Sequence, residues 1–588
     1  MRTLKGPLGI AWRDQDVLSK CIIVACLLLV VFAYLPTLWH DYVAPDQWRA
    51  YRYGLPPGSP LGRLDACASS VAPYYSRTGR PLLWLSECVE HAAVAKISDF
   101  AYLRPIALAI VLFATASLGA VLARFVGGLA MGIVAASAFA MAPAYAVMYL
   151  QGLTGATVVI CLILATASFR LFRDWLGDEA AGLKLRLRKL IAPLALFFVG
   201  CLIYPSWMFL VVGLSLVASG ADVQLSRAAM LKRLCATLSF YAFAALLYYL
   251  FEKFIETVLE ETTRYVPNMG AYSMSMLLSP TGIEPRVLEL AKWFWQMPPL
   301  NFDAPRGLLV VALGLFSAYI AWQDRQNHGG RRAGSLLVAI AAFVLGSAVL
   351  LGSVSPWLFS SMDYMATRFV LPWYLFFCVV VVGVVRVAAE TLWSKSRSYA
   401  AVLALLVFLL PVAVRQNQLS TLETQVSGLE IQSMREALGR WIDAKGYENQ
   451  RYLLVIRPRV LRPAFAERIL GHGTSAGENA QLSSAQNPVV VPWIIIALLR
   501  ERDDHPLGRS VGLQICVFDQ DCVAQTLREA HSVVIGIEDS VHVIRSSTVP
   551  YVINLSAITS KPIVPAIERT EASTLAPEHA TGGAASGG

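Results

Sequence analysis

The chain has 588 residues, 56% of them hydrophobic and only 15% charged, with a mean hydropathy of +0.55. Soluble domains carry about 25% charged residues, so this sequence cannot cover a soluble surface of its size; a cytosolic enzyme, a disordered scaffold and a nucleic-acid binder are excluded as first readings. The net charge of +9 is unevenly divided: residues 1–415 hold 34 Lys+Arg against 22 Asp+Glu, and residues 416–588 hold 15 against 18.

A helix needs about 20 apolar residues to cross a bilayer. The first such run, Cys21–Trp39, is too long for a signal-peptide core, and no small-residue cleavage site follows it. It reads as a retained transmembrane helix. Further apolar runs lie near 102–122, 126–148, 152–172, 234–251, 306–322, 334–353, 369–387 and 399–414. The stretch 191–219 is interrupted by Tyr204-Pro205-Ser206-Trp207. Pro breaks a helix and turns its predecessor toward extended geometry, so two short crossings, 191–204 and 206–219, compete with one kinked helix. The distribution of Lys and Arg favours two. With eleven crossings and a cytosolic N-terminus, the inside segments hold 20 Lys+Arg against 8 Asp+Glu and the outside segments before 416 hold 14 of each. With ten, the basic clusters 227–233 and 325–332 both fall outside, opposite the basic cluster 184–189. The expected fold is an α-helical polytopic membrane protein of about eleven transmembrane helices over 1–415, followed by a C-terminal extracytoplasmic α/β domain over 416–562 and a disordered tail over 563–588. Two long outside loops are expected, loop one at 40–101 and loop four at 252–305.

Ten cysteines are present. Cys21, Cys26, Cys161, Cys201, Cys235 and Cys378 fall in apolar runs, where Cys acts as a small hydrophobe. Cys67, Cys88, Cys516 and Cys522 fall in segments assigned outside, one pair in loop one and one in the tail. An oxidising compartment sustains disulfides, so Cys67–Cys88 and Cys516–Cys522 are the expected bridges. No CxxC motif or His/Cys cluster has metal-site spacing.

Loop one holds the densest group of chemically capable side chains. It opens Trp39-His40-Asp41-Tyr42-Val43-Ala44-Pro45-Asp46-Gln47-Trp48-Arg49. Two carboxylates directly after a membrane helix can deprotonate a hydroxyl or help hold a cation, arginines can clamp a phosphate, and the aromatics can stack on a sugar or form an interfacial belt. An ordinary belt with solvated charges is the competing reading from composition. His40 and His91 stand as lone histidines. In loop four, Glu252, Glu256, Glu260 and Glu261 have helical spacing and read as a solvated face, while Trp293, Trp295 and Met297 read as an interfacial segment. Asp363 and Arg368 flank the start of a late helix.

The order Asp46-x-x-Arg49, then Gly54, then Ser76-Arg77-Thr78-Gly79-Arg80-Pro81-Leu82 resembles the first loop of the bacterial serotype-converting O-antigen glucosyltransferases, polytopic enzymes of the GT-C fold class. That loop typically reads Asp-Asp-x-x-Arg, a Gly, and then Gly-Arg-Pro-Leu leading into a membrane-lying helix, here Pro81–Phe100 with Leu82, Leu85, Val89 and Ala93 on one apolar side. Gly200-x-x-x-Tyr204 is similar to the family's Gly-x-Tyr-Gln, and Arg368-Phe369-Val370-Leu371-Pro372 to its Arg-containing start of a late helix. Pro45 stands where the family has its first Asp, and no Gln follows Tyr204. The resemblance implies Asp46 as catalytic base with Asp41 as a candidate second carboxylate. It implies Arg49, Arg80 and Arg368 as donor-phosphate partners. It also implies a polyprenyl-phosphate-linked sugar donor, such as undecaprenyl phosphate glucose, and an envelope glycan acceptor such as O-antigen. The setting would be the periplasmic face of the bacterial inner membrane. A divalent cation, Mg or Mn, stays open as a cofactor. The partners expected are the lipid-linked donor, the glycan acceptor and membrane lipid, with no nucleic acid. A GT-C enzyme using arabinose or mannose, a transporter or flippase of lipid-linked glycans, and a non-catalytic assembly protein are the competing readings.

Residues 416–560 regain soluble composition. Leu429–Lys445 has helical periodicity, and Tyr452–Ile456, Gly512–Phe518, Ser532–Ile537 and Val541–Arg545 read as strands.

Overall fold

The computed structural model describes residues 15–39, 42, 59–77, 80–94, 97–142, 152–177, 183–211, 214, 227–262, 280–296, 307–328, 332–354, 370–393, 397–443, 451–456, 498, 513–517, 532–538, 541–545 and 550–554. Among the described residues, six helical stretches are long and apolar enough to cross a membrane: Val17–Leu38, Ile97–Val126, Gly152–Leu176, Cys235–Ile255, Leu371–Thr391 and Tyr399–Thr421. Shorter apolar helices cover Leu129–Ala140, Leu308–Trp322 and Ser335–Leu351. The protein is a multi-pass membrane protein. It divides into two compact units, 1–428 with 468–482, and 429–467 with 483–588.

In the first unit, α1 (Val17–Tyr34) begins at Asp16, whose side chain accepts from the Ser19 N–H at 2.7 Å. This satisfies one of the N–H groups a helix start leaves bare. Helices α2 (Pro60–Arg77) and α3 (Leu83–Ala93) follow, and then α4 (Phe100–Val126) and α5 (Leu129–Ala140). Every residue of α5 is buried, as its uniformly apolar and small sequence requires. It packs against α1 and α4 and against two later helices, α13 (Leu371–Trp393) and α14 (Arg397–Ala404). The α4–α5 crossing is closed by glycines. A Cβ on Gly132 would run into the Gly119 carbonyl and lie 2.6 Å from the Ala123 nitrogen. Membrane helices gain little from apolar burial against lipid and approach closely through such small residues. The intervening turn uses Gly127 at φ 92°, whose N–H returns to the Ala123 carbonyl, a left-handed cap that glycine adopts without Cβ strain.

Helices α6 (Gly152–Gly177) and α7 (Leu183–Ile203) pack against each other, and α6 also packs on α4. Tyr204 is extended (φ −157°, ψ 96°), as a residue before proline prefers, and a single turn, α8 (Pro205–Met208), starts directly after it. The turn comes so close to α7 that a Cβ on Gly200 would meet Met208. Further along the first unit, the described residues form α9 (Arg227–Thr262), α10 (Pro280–Gln296), α11 (Leu308–His328) and α12 (Arg332–Gly352), with α13 and α14 after them. From Arg397 the backbone runs through α14, one π-helical turn at Leu405–Leu409, and α15 (Leu410–Asp443).

Long-range contacts pair helix ends. At one end of the bundle, the Tyr34 hydroxyl at the close of α1 donates to the Ala140 carbonyl at the close of α5 (2.6 Å). Arg104 near the start of α4 donates to the Thr37 carbonyl beyond α1 (3.0 Å). The Leu82 N–H donates to the Leu202 carbonyl at the close of α7 (3.0 Å). Toward the other end, Phe172 of α6 stacks on Phe240 in the first half of α9 (4.2 Å between centroids). Phe251, later in α9, meets Phe198 near the close of α7, and α9 also packs on α2.

Two elements differ from the sequence reading. The helix expected at 81–100 ends at Ala93; Val94 is extended, and a 3-10 turn at Ile97–Asp99 leads into α4. The last expected span, 399–414, continues without a break into the helix expected at 429–445, because the change to polar residues there brings no proline after Pro411.

In the second unit the strands are β1 (Arg451–Ile456), β2 (Leu513–Val517), β3 (Ser532–Glu538), β4 (Val541–Arg545) and β5 (Pro550–Asn554), in the order β2-β1-β3-β4-β5. β1 lies parallel between β2 and β3, with Val455 opposite Cys516 and Gly536, while β3–β4 and β4–β5 are antiparallel. β5 has no counterpart in the sequence reading.

Candidate functional site

The described site residues gather at the bundle end where α1 closes and α4 and α6 open. The Tyr204-Pro205 break starts the construction. A helix ending at a proline leaves carbonyls without their intrahelical donor. The Gly200 carbonyl accepts from the Tyr204 N–H at 2.8 Å, and the Leu202 carbonyl accepts from Leu82. That second bond ties the Gly79-Arg80-Pro81-Leu82 element to the close of α7. The Arg80 N–H donates to the Tyr75 carbonyl (2.9 Å), and the Arg80 carbonyl accepts from Leu83 (3.0 Å). The backbone of Arg80 is thus fixed between α2, α3 and α7.

Its side chain lies against two aromatic faces. The guanidinium carbon is 5.5 Å from the Tyr75 ring centroid and 5.3 Å from that of Tyr204, within the range in which ring and cation attract. Both tyrosines are buried.

Beneath this pair, α3 carries a buried polar face. Glu87, Glu90 and His91 are 2%, 0% and 3% exposed. Glu87 accepts from the Tyr75 hydroxyl, and its other oxygen, Oε1, lies 3.9 Å from His91 Nε2. Glu90 Oε2 accepts from both the backbone N–H and the hydroxyl of Thr154, at 2.8 Å each, so a carboxylate sits at the start of α6 where the helix dipole favours it. Cys88, between these acids, is joined to Cys67 of α2 with Cα atoms 5.4 Å apart. Leu82, Leu85 and Val89 are exposed, giving α3 one apolar face outward and one polar face inward.

Arg104 forms a second anchor. It is 3% exposed, donates to the carbonyls of Thr37 and Tyr42, and lies 4.0 Å from the Tyr42 ring centroid. Both ends of the segment from Thr37 to Tyr42, which immediately precedes the loop-one motif, are held by one side chain.

Of the catalytic and donor-binding candidates singled out from the sequence, Arg80 is the one whose surroundings are described. Asp41, Asp46, Arg49 and Arg368 lie outside the described residues, as does Cys522, the expected partner of Cys516. Among the described residues no three His, Cys, Asp or Glu side chains gather to hold a metal ion. Glu252, read from its spacing as solvated, is buried (6% exposed). Sequence reasoning did not find the Glu87, Glu90, Thr154 and Arg104 contacts. Their only sequence signal is the placement of acids and a histidine on the side of α3 opposite Leu82, Leu85 and Val89.

No protein-family model matches the sequence. No curated protein matches it. Among solved structures, the chain aligns with the oligosaccharyltransferase of Archaeoglobus fulgidus in complex with zinc and sulfate (12% identity, 76% of this chain and 61% of that one, TM-score 0.36). It aligns with the apo form of that enzyme at 11% identity over 81% and 64% of the two chains, TM-score 0.36. It also aligns with archaeal oligosaccharyltransferase AglB from Archaeoglobus fulgidus in complex with an inhibitory peptide and a dolichol-phosphate, at 12% identity, 77% and 63% coverage and TM-score 0.34. The chain thus spans less than two thirds of the length of the structures it aligns with, at a TM-score below the level at which a shared fold is argued.

Proposed function

We propose that this protein is a GT-C-type membrane glycosyltransferase that transfers a sugar, glucose by its motif resemblance, from a polyprenyl-phosphate donor to an envelope glycan such as O-antigen. Reaction takes place on the periplasmic face of a bacterial inner membrane. The observation that carries the reading is Arg80, a cation in the Gly-Arg-Pro-Leu element of loop one, with its backbone hydrogen-bonded to Tyr75, Leu83 and, through Leu82, to Leu202, and its guanidinium against two tyrosine rings. A donor with a polyprenyl tail must be met at the bilayer edge, and its single phosphate calls for cations there.

In this reading Asp46 takes the proton of the acceptor hydroxyl. The hydroxyl oxygen attacks the anomeric carbon from the side opposite the phosphate and forms the new glycosidic bond. The carbon–oxygen bond to the phosphate breaks, and its electron pair leaves with the polyprenyl phosphate, inverting the anomeric centre. Arg80, with Arg49 and Arg368, offsets the charge on the departing phosphate, and Asp41 is the candidate second carboxylate. Arg104, by holding Tyr42, fixes the chain four residues before Asp46.

The distribution of Lys and Arg supports an eleven-span topology, in which the inside segments hold 20 Lys+Arg against 8 Asp+Glu. The experiment is transfer of labelled sugar by the purified protein in lipid, using polyprenyl phosphate glucose, arabinose and mannose and an envelope glycan acceptor. Transfer from one of these donors is expected. Movement of intact lipid-linked sugar across the bilayer without transfer would replace the reading with transport.

A further inference from the structure

We propose that Tyr75 and Tyr204 are positioning residues for the Arg80 cation, and that Glu87, backed by His91, holds Tyr75 in that role. The two rings reach Arg80 from different elements, Tyr75 from the end of α2 and Tyr204 from the break between α7 and α8, with centroids 5.5 and 5.3 Å from the guanidinium carbon. A ring attracts a cation without using any of its N–H donors or cancelling its charge.

A buried carboxylate is costly unless it is bonded, and Glu87 is bonded to the Tyr75 hydroxyl. That bond fixes the ring that lies against the Arg80 guanidinium. Glu87 Oε1 and His91 Nε2 face each other at 3.9 Å, and neither has a hydrogen-bond partner among the described residues. His91 therefore stands behind Glu87, one helical turn along α3. The Cys67–Cys88 bridge joins α3 to α2, the helix that carries Tyr75, so the acid and the ring it holds sit on covalently linked elements. The ligand class is a phosphate on a polyprenyl chain, and the inference rests on the reading of Arg80 given above.

The test measures binding of undecaprenyl phosphate and of uncharged undecaprenol to the full-length protein in nanodiscs. The readout is the ratio of the two affinities. The wild type is expected to prefer the phosphate. Tyr204→Leu and Glu87→Gln should each lower that preference about tenfold, and Tyr204→Phe, which keeps the ring, should retain it. Tyr75→Phe keeps its ring but loses its bond to Glu87, and should lower the preference in a variant with little change of volume. If Arg80→Ala removes the preference while the tyrosine and Glu87 variants keep it, the inference is overturned and the reading of Arg80 stands. Equal weakening of phosphate and alcohol binding marks a purely structural role and also overturns it. A wild type that does not distinguish the two lipids overturns the reading of Arg80 itself.

Discussion

Glu90 and Thr154, 64 positions apart, meet through two hydrogen bonds to one carboxylate oxygen, from the Thr154 N–H and from its hydroxyl, each 2.8 Å long. Glu90 is fully buried, and it couples α3 to the first turn of α6. Glu90→Ala removes both bonds and leaves the buried Thr154 donors without this acceptor. The expected cost is about 3 kcal/mol, read as a lower Tm of the purified protein in detergent. Glu90→Gln, which keeps an acceptor oxygen, should lose less than half as much.

The α4–α5 crossing gives a steric prediction. Gly132→Ala places a methyl group against the Gly119 carbonyl and the Ala123 nitrogen, and overpacking of this kind costs about 1–3 kcal/mol. Gly314→Ala is the matched control, because nothing lies within 4 Å of the added carbon; its effect should stay within about 0.5 kcal/mol. Thermal unfolding of the two variants side by side checks the pair, and equal effects would refute the close-packed crossing.

Arg104 should resist conservative replacement. A lysine cannot present a planar fork to the Thr37 and Tyr42 carbonyls while lying against the Tyr42 ring. Arg104→Lys is expected to lower the rate of sugar transfer at least tenfold with the Cys67–Cys88 bridge intact on non-reducing gels. An unchanged rate would separate this anchor from the reaction.

Hydropathy made the layout of spans legible, since an apolar run of crossing length has few alternative fates. The break at Tyr204 was legible because Pro205 removes an N–H and restricts its neighbour. The contacts that build the Arg80 surroundings were not. Tyr75 with Glu87, Glu90 with Thr154 and Arg104 with Tyr42 carry no periodicity, and each depends on which helices become neighbours. The length of α15 was misread for a different reason: composition marks where lipid ends, whereas a helix ends only where backbone geometry is interrupted. The buried state of Glu252 follows from the same limit, because helical spacing describes a face without naming what packs on it.

Topology can be tested apart from chemistry. Eleven crossings put the basic segments 184–189 and 227–233 on one side of the membrane. Ala181→Cys and Ala228→Cys, each made in a background lacking the six cysteines of the apolar runs, should both be blocked from a membrane-impermeant thiol reagent in intact cells and both react after permeabilisation. Opposite labelling of the two positions would indicate a single kinked helix between 191 and 219.

The central claim is that loop one carries a catalytic base and a phosphate-binding cation. It is tested most directly by the rate of sugar transfer in Asp46→Asn, measured with Tm and the Cys67–Cys88 bridge as controls of folding. The account predicts loss of transfer by about 100-fold or more, with the same Tm and the bridge retained. Wild-type transfer by Asp46→Asn would contradict it.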